Sequence, residues 1–191
     1  PQDVWETDRF PWLAEEVDFI RQWVVDRERP FLGICLGHQL LAQAVGGTVG
    51  PAVTPEVGVA EVATLPPSRC DALLANTPAT FECFQWHGAE VKALPQGASL
   101  LAGNAACAVQ AFRWGQTAYG FQYHVEVTPE TVSLWAKEPT YRDALEKALW
   151  PGAIDHLHAE ISARQEAFRA AARSLADDFL KLAHDSSHRA S

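Results

Sequence analysis

FLGICLGHQLLAQAVGG, residues 31–47, is the stretch from which the fold of this chain can be read. The apolar run Phe31, Leu32 and Ile34 predicts a short buried strand, and Leu36 to Val45 has the Leu/Ala/Gln composition of a helix that Gly46-Gly47 stops. Cys35 falls at the corner between them. The local pattern G-x-C-x-G is that of a nucleophile elbow, in which Gly33 and Gly37 are expected to relieve the crowding of a sharp strand-to-helix turn. The helix N-terminus behind the sulfur favours thiolate and offers N–H groups to a developing oxyanion. A lone cysteine is more often a small buried hydrophobe. Here the strand before it and the helix after it supply the context that a reactive cysteine requires.

Outward from this corner the chain reads as one domain. With 191 residues, 48% of them hydrophobic, it can bury one substantial core, which we place over residues 1–184 with a polar, frayed tail at 185–191. A net charge of −9 argues against unaided binding to nucleic acid or to anionic membranes. There is no apolar run near the ~20 residues of a bilayer span and no signal-peptide pattern, so a cytoplasmic location is the expectation. Cys35, Cys70, Cys83 and Cys107 show no C-x-x-C spacing, so neither a zinc site nor a disulfide framework is predicted. The last three are expected to be buried and inert.

Before the elbow, Leu13, Val17, Ile20 and Val24 predict a helix over residues 11–25 that packs on a sheet. After it, valines broken by Pro51, Pro55 and Gly58 predict short hairpin segments over 47–64. Residues 68–75 read as a short helix with Ser68 as N-cap, and Ala79 to Trp86 as a strand leading into a loop at His87-Gly88. Further strands are predicted at 99–102, 106–113 and 117–125. Thr128-Pro129 then opens a helix to Ala136, followed by helices over 141–149 and 154–183. The last carries an apolar stripe of Leu157, Ile161, Phe168, Leu175, Phe179 and Leu182, expected to dock on its own domain. Strand and helix alternating around residue 35 favour an α/β fold, a central mostly parallel sheet with flanking helices.

A cysteine nucleophile needs a base, and the base needs an orienting partner. His124 has Glu126 two residues on, and in a strand those two share a face, although H-x-E is also a common surface pair. His87, with Glu90 nearby, is the rival base. His38 is expected to pack behind the elbow, and His156, His158, His184 and His188 to face solvent.

Gly33-Ile34-Cys35-Leu36-Gly37-His38-Gln39 resembles the nucleophile segment of class I glutamine amidotransferase domains, G-[IV]-C-x-G-x-Q, at every fixed position. The segment ending in His124-Val125-Glu126 is similar to the family's His and Glu segment, with Val125 where Pro is usual. Trp86-His87-Gly88-Ala89 resembles the segment whose backbone holds the ends of glutamine, with Ala89 where an acid often stands in synthetase-linked members. That departure points away from docking to a purine-type synthetase.

The resemblance covers nearly the whole chain up to about Thr131. It implies a three-layer, flavodoxin-like fold and a Cys35, His124, Glu126 triad. It further implies Leu36 N–H as an oxyanion donor, and Gln39 with Trp86, His87, Gly88 and Ala89 against the substrate. The implied chemistry is hydrolysis of the glutamine side-chain amide through a γ-glutamyl thioester, with no metal or organic cofactor. The implied partner is an ammonia-accepting synthetase on a separate chain. A γ-glutamyl peptide hydrolase with the same triad, or a catalytically silent binding module, remain the alternatives. Members usually carry a Gly-Gly-Pro turn after their opening strands. Residues 1–5 read like the segment just past that glycine pair, so strands of the central sheet and half of the oxyanion hole are expected to precede Pro1.

Overall fold

The computed structural model describes residues 2–135, 137, 139, 142, 145–146 and 149–189, with no side-chain description for 187–189. A six-stranded sheet carries the fold, in the order β1-β6-β5-β4-β2-β3. Its strands are β1 (Phe31–Ile34), β2 (Thr48–Thr64), β3 (Thr80–Ala93), β4 (Ala98–Gly103), β5 (Ala111–Trp114) and β6 (Ala118–Phe121). The helices are α1 (Trp12–Arg21), α2 (Leu36–Ala44), α3 (Pro129–Trp135) and α4 (Ala153–Arg189). A π-helical turn, Gln22–Asp26, extends α1 toward β1.

The expected α/β arrangement of a central sheet between helices holds, and within the described residues the sheet is mixed. β1 and β6 run parallel, whereas the β6–β5, β5–β4, β4–β2 and β2–β3 pairs are antiparallel. Connection length explains this. Only three residues separate β5 from β6, enough for a hairpin, while a parallel pair needs a crossover, which α2 begins for β1.

Two layers cover the sheet. α1 and α2 press Leu13, Ile20, Leu40 and Leu41 onto Phe112, Ala118 and Val91 on one face. On the other, α4 lays Leu175, Phe179 and Leu182 over Leu101, Tyr119 and Phe121, while Leu157, Ile161 and Phe168 pack around Phe84. The apolar stripe of α4 therefore docks on its own domain, and each fully buried side chain among these contributes about 2 kcal/mol.

Several elements differ from their sequence expectation. Residues 48–64 form one long strand instead of hairpin pieces, paired to β3 with register shifts at Thr48/Val49 and between Pro51 and Glu56. β4 pairs only with Ala63 and Thr64, so the prolines remove no ladder bond on that side. β3 continues through His87 and Gly88, which lie in mid-strand because Glu56 pairs with His87 across the hairpin. Instead of a capped helix, Pro66–Cys70 is a 3-10 turn in which the Ser68 hydroxyl donates to the Leu65 carbonyl at 2.7 Å. Cys70 is exposed, correcting its expected burial, while Cys83 and Cys107 are buried. α4 runs through Arg189, past the expected fraying point at Asp185. The helix expected over 141–149 falls largely outside the described residues.

Candidate active site

β1 ends at Ile34, and the chain turns at Cys35 with φ 52 and ψ −104, a conformation that L side chains rarely adopt. The Cys35 N–H donates to the Phe121 carbonyl at 2.8 Å, which ties the turn to the end of β6. Gly33 is indispensable to this corner, since a Cβ there would lie 2.3 Å from the Gly37 carbonyl oxygen. Gly37 differs from expectation, because a Cβ on it would meet open space. At the far end of α2, Gly46 takes φ 91 and stops the helix.

The sulfur is half-buried and faces three groups. It lies 3.8 Å from the Trp86 carbonyl, Gln122 Nε2 approaches at 3.7 Å, and His124 is near enough for the two groups to influence each other's charge. His124 follows β6 and is clamped to β3 by two backbone bonds with Phe84, of 2.8 and 2.9 Å. Its Nδ1 meets Glu126 Oε1 at 2.5 Å, and Glu126 Oε2 accepts from the Val125 N–H at 3.0 Å. Burial is the largest influence on His124 and pulls its pKa down. Bonds and charge interactions with Cys35 and Glu126 together outweigh it, and the ring is pushed up to about 10. Partial desolvation favours neutral Glu126, although its side chain stays 44% exposed, but the His124 contact and backbone N–H groups hold its carboxyl below the usual range. The structure thus pairs His124 with Glu126 and brings Cys35 within electrostatic reach of that ring, a grouping that can support thiolate–imidazolium chemistry.

Trp86 and Gly88 lie on the opposite strand face from His87 and Ala89. The Trp86 ring meets Trp135 of α3 edge-on at 4.6 Å, and Trp135 also stands 6.5 Å from His124, making an aromatic wall beside the base. His87 is not a rival base. Its Nε2 meets Glu56 Oε2 at 3.1 Å and its Nδ1 meets the Ala89 carbonyl at 3.0 Å, while Glu90 pairs with Lys92. Glu56 also accepts from Asn104 at 2.7 Å and Gln110 at 2.8 Å. Gln39 is buried beneath the site, with its amide nitrogen committed to the Ala89 carbonyl at 3.2 Å and Gln122 Oε1 at 3.0 Å. Ala89 is 3% exposed. Leu36 opens α2, whose first turn leaves N–H groups without intrahelical partners beside the sulfur.

Sequence reading missed Glu56, Gln122 and Trp135. Gln122 had a local signal, since it precedes His124 by two residues in the run expected to be a strand over 117–125, although β6 ends at Phe121; the other two are brought in only by tertiary pairing. Among the described residues, Glu56, His87 and Cys107 are the group whose atoms lie close enough, within 4.8 Å, to share a metal ion. Those atoms are already engaged, Glu56 by hydrogen-bond contacts with His87, Asn104 and Gln110 and Cys107 Sγ by the Val109 carbonyl at 3.5 Å, so the set fits a closed polar network better than a metal centre. A cavity of about 690 Å³ lies at the other end of β1 and β6, where Arg27, Arg29 and Arg113 are balanced by Glu28, Asp71 and Asp185.

Behind the elbow, His38 is fully buried edge-on to Phe112 at 5.0 Å, and neither ring nitrogen has a well-aligned hydrogen-bond partner. Burial is the main cause of a pKa lowered from 6.5 to about 3, against weaker support from the Gly120 and Val109 backbone. The sign follows from proton uptake: between those two values the unfolded chain binds a proton at His38 that the folded chain refuses. Stability is therefore fully present above pH 6.5 and falls toward pH 3, by about 1.4 kcal/mol per pH unit from this residue. Denaturant titrations from pH 7 to 4 should show a shallower acid loss in His38→Leu than in the wild type; parallel curves would contradict the assignment.

The family description "Glutamine amidotransferase class-I" matches residues 9–134. A glutamine-hydrolyzing GMP synthase subunit of Methanocaldococcus jannaschii is 40% identical over 99 residues, 51% of either chain. Its counterpart from Sulfurisphaera tokodaii is 38% identical over 106 residues, 55% of either chain. The chain thus spans about half the length of the curated relatives it matches. Among solved structures, a glutamine amidotransferase from Thermotoga maritima superposes with TM-score 0.82 at 29% identity, covering 94% of this chain and 74% of that one.

Proposed function

This chain belongs to the class I glutamine amidotransferase family, and on that basis we propose that it hydrolyses the side-chain amide of glutamine to glutamate and ammonia on Cys35. The observation that carries the reading is the contact series from Cys35 through His124 to Glu126, set on a strained elbow at a helix N-terminus. His124 takes the proton from Cys35 Sγ, and the thiolate attacks the amide carbon. The backbone N–H of Leu36, at the start of α2, faces the oxyanion that forms. His124 then returns its proton to the departing nitrogen, releasing ammonia and leaving a γ-glutamyl thioester. Water, deprotonated by the same ring, attacks the thioester carbon and expels the Cys35 thiolate with glutamate. Trp86 and Gly88 line the substrate side, and no step calls for a metal or organic cofactor.

Because the relatives are subunits of a glutamine-hydrolyzing GMP synthase, the ammonia is proposed to pass to a synthetase on a separate chain. Among the described residues no helix is long and apolar enough to cross a membrane, and a cytoplasmic setting accords with a glutamine substrate. The test is glutamate release from glutamine and from a γ-glutamyl peptide. Faster turnover of the peptide would move the assignment to a γ-glutamyl hydrolase, and no turnover of either by the folded full-length protein would leave the binding module.

Within this reading, Glu126→Gln should lower kcat by about 100-fold, less than the ~10,000-fold that a buried orienting carboxylate can be worth, because the Glu126 side chain is 44% exposed and screened by solvent. Steady-state kinetics at pH 7 would check this, and a change under threefold would remove Glu126 from the series.

A further inference from the structure

A continuous hydrogen-bonded chain connects the buried Glu56 to the sulfur of Cys35. From Glu56 Oε2 it passes to His87, whose Nδ1 bonds the Ala89 carbonyl; Gln39 Nε2 donates to that carbonyl and to Gln122 Oε1, and Gln122 Nε2 reaches the sulfur. His87, Gln39 and Gln122 are respectively 5%, 4% and 0% exposed, so water does not compete for these bonds. The order of donors is dictated from one end. A carbonyl accepts only, so the Ala89 oxygen turns the Gln39 amide nitrogen toward itself; the second hydrogen of that nitrogen selects the oxygen of Gln122, and the Gln122 N–H groups are left facing Cys35. The Trp86 carbonyl, 3.8 Å from the sulfur, can accept a hydrogen bond from the thiol but repels a thiolate.

We propose that Gln122 is a positioning residue, oriented by Gln39 and the Ala89 carbonyl, whose amide N–H donates to the Cys35 sulfur and holds it as thiolate at the elbow. A hydrogen bond to a charged acceptor is about twice as strong as a neutral one, so this contact strengthens when the proton leaves. The same chain locks β3, which carries the substrate-side backbone at Trp86 and Gly88, to the helix behind the nucleophile. Nucleophile and substrate cradle therefore move as one piece. The titratable groups on the elements packed here are His124 and Glu126 after β6, which act on the sulfur's side, His38 on α2, and His87 on β3 with Glu56 on β2, which reach the sulfur only through this chain.

The inference rests on reading Cys35 as the nucleophile, but its test does not require glutamine turnover. The rate of Cys35 alkylation by iodoacetamide is followed against pH by peptide-resolved mass spectrometry, which separates Cys35 from the exposed Cys70. Gln122→Met, close in length and volume but without a donor, and Gln122→Leu are compared with the wild type. Both variants should alkylate about tenfold more slowly at pH 7 with a midpoint shifted upward, and kcat for glutamine should fall by a similar factor while KM stays within about threefold. A midpoint unchanged in a variant with native circular dichroism overturns the inference, whatever the activity. If the wild type fails to hydrolyse glutamine while the midpoint still shifts, the proposed function fails and the positioning role stands. Gln122→Met keeps the core filled and carries the test should Gln122→Leu not fold.

Discussion

Cys35→Ala should reduce kcat for glutamate release by about 10,000-fold or more while leaving the protein folded. The covalent route needs a sulfur at the apex of the turn, and within reach of that apex the described residues offer no other thiol: Cys83 is buried in β3, Cys107 is buried in the β4–β5 connection, and Cys70 lies by the far cavity. Stability should change little. Alanine keeps the Cβ, the φ of 52 and the backbone bond from residue 35 to the Phe121 carbonyl. Circular dichroism beside a coupled glutamate assay separates the two effects. Residual turnover within tenfold of the wild type would mean that Cys35 is not the nucleophile.

Gly33→Ala should have the largest effect on stability, a loss of about 3 kcal/mol, read as a fall of about 6–12 °C in Tm for a chain of this size. The new Cβ would meet the Gly37 carbonyl oxygen at 2.3 Å, the Gly37 carbonyl carbon at 2.4 Å and the His38 nitrogen at 2.9 Å. All three are backbone atoms in the first turn of α2. They can give way only if that turn unwinds or slides, and either movement displaces Cys35. Activity should therefore fall with stability. Gly37→Ala is the control: its Cβ meets nothing within 4 Å, and alanine suits a helix better than glycine, so its Tm should match or exceed the wild type. Equal Tm values for the two variants, measured by thermal denaturation, would contradict the close approach seen at the elbow.

Those contrasting glycines mark how far a one-dimensional reading reaches. G-x-C-x-G announces a tight corner but treats its two glycines alike, and only the approach of α2 to β1 shows which one is obligatory. His87 is a sharper case. Beside Gly88 it reads as a loop residue with Glu90 for a partner, yet the β2–β3 register sets it opposite Glu56, thirty-one positions away, and turns its ring into the core. The prolines of β2 suggested broken hairpins, because a sequence does not display which side of a strand lacks a neighbour.

Features encoded by neighbouring residues were legible in the chain alone. The strand and helix around Cys35, the elbow between them and the His124–Glu126 pair all arise within a few bonds of chain, where local sterics and side-chain spacing set the outcome. The capped start of α3 and the apolar stripe of α4 are of the same kind. Long-range packing was needed for the sheet order, the single parallel pair among the described strands, the aromatic wall of Trp135 and Trp86, and the polar chain from Glu56 through Gln39 to Gln122. Each of these joins segments tens of residues apart, and their register is set by which buried surfaces and hydrogen-bonding groups can be satisfied at once, a condition that belongs to the packed molecule rather than to any stretch of it.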